Sequence, residues 1–162
     1  MSDEHAGDIG DEFDAEFQLG ILSLMHRDVK FLSYASDNLA SNYFSDKDVS
    51  WVFSALRRHF LDTRSVISQR AIKDRLVVDL KRGRVAEERV SHIREVFLQI
   101  RDDALTDAGY IQDRVVRFVK KNVMREAFVT ASAAYQKGDY DELASVFVEA
   151  HKRSDIVFKT GQ

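Results

Sequence analysis

Five histidines, two adjacent carboxylate pairs and four basic clusters are the residues of this chain that could do chemistry. His5, His26, His59, His92 and His151 never fall at HxxxH or HExxH spacing, which would put two imidazoles on one helix face to share a zinc ion. His92 alone has acids within helical reach, Glu88 at i−4 and Glu95 at i+3. With no second ligand pair it reads as part of a solvated helix face, and no metal ligand is assigned. Glu87-Glu88 and Asp102-Asp103 are neighbours in sequence, so on a helix each pair splays apart and does not converge as an acid–base dyad. No GxxxxGK[ST] phosphate loop is present. Lys159-Thr160-Gly161 has no Ser-x-x-Lys to accompany it and reads as tail. With no cysteine, thiolate chemistry and disulfides are excluded. The chain is therefore read as non-enzymatic, with no catalytic residue and no cofactor.

The basic clusters are Arg57-Arg58, Lys81-Arg82 with Arg84, Lys120-Lys121 and Lys152-Arg153. Clustered positive charge is all that phosphate contact requires, and Arg57, Arg58, Lys81, Arg82 and Arg84 are the candidates for it. Acids dilute each cluster, and no aromatics interleave with the cations as on single-strand platforms. Contact with DNA is accordingly expected to be weak or indirect, and an interaction domain is favoured over an enzyme.

The elements that carry these residues are helical. The chain has 162 residues, no proline, 7 glycines, 44% hydrophobic residues and a formal charge of −3. That length suits one domain with a sizeable core, and scarce proline and glycine disfavour turn-rich β architectures. The acidic start MSDEHAGDIGDEFD lacks the basic and apolar regions of a signal peptide. No apolar run is long enough to span a bilayer, so a cytoplasmic location away from membranes is expected.

Residues 1–10 read as a disordered acidic tail and 11–105 as a compact helical lobe. A first helix starts near Asp11 with Phe13, Phe17, Ile21 and Leu24 on one face. Asp28 caps a second, carrying Val29, Leu32, Ala35 and Leu39. Ser45, with Asp48 three residues on, caps a third over VSWVFSALRRHFLDT; a loop at 63–67 follows. Ser68 caps a fourth that Gly83 stops. A fifth helix bears Val90, Ile93, Val96, Phe97 and Ile100 and ends at Asp102-Asp103.

Residues 106–156 read as an antiparallel helical hairpin, and 157–162 as tail or the start of a linker, the whole forming one domain. A long helix from about Asp107 to Lys137 ends at Gly138, and Asp139 caps DELASVFVEAHKRSD. Early in the long helix apolar residues keep to one side. From Met124 onward Ala127, Phe128, Val129, Ala131, Ala133, Ala134 and Tyr135 point in most directions. A two-helix hairpin buries only one face of each helix against itself, so the surplus must meet the lobe or a second copy. Phe118, Met124, Phe128, Tyr135, Leu143 and Phe147 are the candidates for self-association.

The order of these features resembles the N-terminal domain of DnaB-type replicative DNA helicases, phage versions in particular. The resemblance lies in LGILSLM followed by Asp28-x-x-Phe31-Leu32, a Leu39…Tyr43-Phe44 turn, an aromatic helix from Trp51 and a Leu-rich helix from Ser68 to Leu80. The final hairpin, with its Gly-Asp-Tyr-Asp corner at 138–141, is similar as well. The likeness runs from about Glu16 to Asp155. It departs in the loop TRSVI at 63–67, which has no proline, and the chain stops where a linker and motor would begin. The family resemblance implies an all-α collar domain in DNA replication that self-associates into a dimer or ring through the hairpin and docks primase and a helicase loader. Two alternatives remain open: a free-standing helical adaptor or inhibitor that binds a helicase or primase, and a small helical DNA-binding protein.

Overall fold

A computed structural model describes residues 12–155, and expectations for 1–11 and 156–162 lie outside the described residues. Among those residues there are seven α-helices, two short 3₁₀ turns and no strand. The helices are α1 (Ala15–Arg27), α2 (Val29–Asn38), α3 (Lys47–Thr63), α4 (Gln69–Lys81), α5 (Val90–Asp102), α6 (Ala108–Lys137) and α7 (Tyr140–Ser154). The chain divides into two compact units, Met1–Ala108 and Gly109–Gln162. The boundary falls three residues beyond the one expected between lobe and hairpin.

Most helix starts follow local capping chemistry. A side-chain oxygen that accepts from the second or third amide of a helix satisfies donors that have no intrahelical partner. Asp28 does this for Lys30 and Phe31 (3.0 and 3.2 Å), and Ser68 for Ala71 (3.1 Å). Two starts differ from expectation. The first helix begins at Ala15, because Asp14 accepts from the Phe17 amide at 2.9 Å. The third is capped by Asp46, which takes the amides of Asp48 and Val49 at 2.7 and 3.1 Å. Ser45 turns instead toward Gln18, to which its amide and hydroxyl both donate (3.0 and 3.1 Å). A carboxylate beside the helix dipole is the stronger cap, and Ser45 has a better use.

That use is tertiary. Gln18 is 7% exposed; its amide nitrogen donates to the Phe13 carbonyl at 2.9 Å, while its oxygen holds Ser45. One buried side chain thus fixes both the approach to α1 and the approach to α3. The lobe core forms where α1, α2, α3 and α5 pack on one another. Ile21, Leu22, Met25, Phe31, Leu32, Phe53, Leu56, Ile93 and Ile100 are almost fully enclosed there. Val29, expected on the inward stripe of α2, is half exposed; it sits at the first helical position, before the stripe turns inward. Helix α4 buries only Ile72 and Leu76 and edges the lobe.

Candidate interaction surfaces

The hairpin is set by its corner. Gly138 has φ of 75°; its amide donates to the Tyr135 carbonyl and that of Asp139 to the Ala134 carbonyl, both at 3.0 Å. This pair of bonds closes a helix through a left-handed residue, where glycine carries no Cβ penalty. Asp139 then caps α7 by accepting from the Glu142 amide at 3.0 Å. Three contacts give the antiparallel register: Tyr135 with Tyr140, Phe128 with Phe147, and Glu126 with Arg153.

Between Val123 and Ala134 the buried side of α6 is mostly alanine: Ala127, Ala131 and Ala134 at i, i+4 and i+7. Small side chains there leave little apolar area covered, and the larger residues fall beside the stripe. Phe128 is 66% exposed and Tyr135 64%, although the Phe128 ring meets Phe147 edge-on with centroids 5.4 Å apart. Met124, Leu143 and Phe147 are half-buried. Phe118 is 2% exposed in the single chain, on a stripe with Ile111, Val115 and Asn122, so it is a core residue and presents no surface to a second copy. Tyr140, 63% exposed, was not singled out from sequence. It stands next to the capping Asp139, and its signal was an aromatic within the Gly-Asp-Tyr-Asp corner, two residues after Gly138.

The phosphate candidates are separated onto different elements. Arg57 donates from Nε to the Ser36 carbonyl at 2.8 Å. Arg57 and Arg58 share a hollow of about 390 Å³ with Asp62. Lys81, Arg82 and Arg84 are exposed where α4 ends, and Arg84 lies 3.7 Å from Asp79. An acid sits beside each group, as the sequence suggested.

His92 has a different role from a solvated face. Its Nδ1 lies 2.5 Å from Oδ2 of Asp48, whose Oδ1 accepts from Arg89 Nε at 2.7 Å. Asp48 is 8% exposed, in the first turn of α3. Burial pushes its carboxyl up, but the hydrogen bonds from His92 and Arg89 outweigh this and leave it below its ordinary value. The same bond to Asp48 raises His92 above its ordinary value, helped by the charges of Asp46, Asp48 and Glu95. Asp46, Asp48 and His92 place ligand-type atoms within 4.8 Å of one another. Yet the guanidinium of Arg89 occupies one Asp48 oxygen, and Asp46 is committed to its cap, so the donor set suits an ion-pair clasp better than a cation. His26, by contrast, is lowered by burial and by the nearby Arg27 and Arg101, and its ring stands edge-on to Phe97.

Among the described residues no helix is long and apolar enough to cross a membrane. Compared with family models, curated proteins and solved structures, the chain matches none.

Proposed function

We propose that this chain is the non-catalytic N-terminal collar domain of a DnaB-type replicative DNA helicase, acting in the cytoplasm. Its hairpin pairs with that of a second copy, and the assembled surface docks primase or a helicase loader so that priming follows unwinding. The observation that carries the reading is the hairpin exterior, where Phe128, Tyr135 and Tyr140 remain 63–66% exposed. Aromatics are the residue type enriched at protein interfaces, and here they stand exposed along the last turns of α6 and the first of α7. The succession of lobe, long helix, Gly-Asp-Tyr-Asp corner and return helix further supports it. The separated basic groups, each with an acid beside it, favour this reading over direct DNA binding.

Molar mass in solution tests the proposal, measured by light scattering on the wild type, Phe128→Asp and Tyr135→Asp. The wild type is expected as a dimer or larger species and both variants as monomers with unchanged helicity, and purified primase is expected to bind the wild type more tightly. A monomeric wild type at the highest soluble concentration overturns hairpin pairing. Phe118→Ala serves as the core control: it is expected to lose about 3–5 kcal/mol of stability, whereas Phe128 and Tyr135, each mostly exposed and in one ring contact across the hairpin, are expected to cost far less.

A further inference from the structure

We infer that the lobe carries a docking groove for an acidic amphipathic segment of a partner protein. The groove, about 310 Å³, lies between α4 and α5 beside Trp51 of α3. Its floor is apolar: Ile72, Leu76, Ile93 and Phe97 line it, each no more than 5% exposed. Leu98, 40% exposed, forms a lip. One end is tied by Arg101, which donates to Gln69 at 3.2 Å. Trp51 is anchored by its indole N–H to Asp79 at 2.9 Å.

The charge around this floor identifies the occupant. Lys73 and Arg94 both line the groove, and no acid does. Both cations are exposed, and among the described residues neither side chain has a hydrogen bond or ion pair. An apolar slot with two free cations complements a helix that inserts one or two apolar side chains spaced three or four residues apart and carries Asp or Glu within a turn of them. The volume admits such anchors and not a folded domain. Nucleic acid fits less well, since base stacking needs open ring faces. Here Phe97 is 4% exposed and Trp51 is half-buried with its N–H already engaged. The inference rests on the lobe alone, so its failure leaves the hairpin reading untouched.

Random 16-residue peptides displayed on phage and panned against the full chain provide the test. Enriched peptides, synthesised and labelled, are then titrated by fluorescence anisotropy. The expected result is enrichment of apolar pairs at helical spacing flanked by acids, with Kd raised at least tenfold by Lys73→Glu/Arg94→Glu and by Leu98→Asp. Arg58→Glu, in the separate hollow, is expected to change nothing. Circular dichroism establishes that the variants are folded, and Lys73→Ala/Arg94→Ala, with a weakening of at least threefold, replaces any that is not. Failure to enrich, enrichment of basic or uncharged peptides, equal binding by the charge variants, or an oligo-dT probe competing for the same residues overturns the inference.

Discussion

Replacing Asp48 by Asn removes one negative charge from the point where α3, the turn before α5 and α5 itself are tied. Two charge-assisted bonds are affected, from Arg89 at 2.7 Å and His92 at 2.5 Å. Bonds of this kind contribute about 1.5–3 kcal/mol each when well buried. The partners here are not: the Arg89 side chain is 30% exposed and that of His92 45%, against 11% for Asp48. Water can take over much of what the two cations lose, as at exposed ion pairs. The loss is therefore set at about 2 kcal/mol in total, or roughly 4–8 °C in Tm for a protein of this size. Its pH dependence is diagnostic. His92 is raised in the folded state, so its contribution is fully present below its ordinary value of 6.5 and is lost as pH rises through the raised one. Asp48 is lowered, so its contribution is present above 3.8 and lost as pH falls through the lowered value. The difference between wild type and Asp48→Asn should be greatest between about pH 4 and 6.5 and should shrink on either side. His26 shifts in the opposite direction but is common to both proteins and cancels. Urea unfolding followed by circular dichroism at pH 3, 5.5 and 8.5 measures it. A difference that stays constant across pH, or falls below about 0.5 kcal/mol at pH 5.5, refutes the clasp.

Two further perturbations probe the lobe and the corner. Gln18→Leu leaves the Ser45 amide without its acceptor beside the start of α3 and should cost about 2–3 kcal/mol by chemical denaturation, against about 1 for Ser45→Ala, which removes only the hydroxyl bond. Gly138→Ala meets no atom within 4 Å of the added Cβ, so its expected cost of about 1–2 kcal/mol in thermal unfolding comes from the left-handed backbone alone. Gly109, the second residue of α6, with the same open space and no positive φ, should gain a fraction of the interior value of about 1 kcal/mol on the same change.

The sequence by itself determined the number and order of the helices and several of their ends, because capping and stopping act within a few residues: Asp28, Ser68 and Asp139 as caps, Gly83 and Gly138 as stops; the starts at Ala15 and Lys47 it placed on the wrong residues. It also determined that the hairpin carries more apolar surface than two helices can hide, since helical periodicity is a local property. Tertiary structure decided which of those residues are covered. Phe118 and Phe128 are both apolar members of one helix, yet one is 2% exposed and the other 66%, because exposure depends on what packs over each turn. Tertiary structure also built the Asp48–Arg89–His92 clasp, whose members are 41 and 44 residues apart along the chain. It redirected Ser45 from a cap to Gln18, and it opened the groove with its two unpaired cations. Such arrangements bring together groups from distant turns, and short-range spacing carries no trace of them.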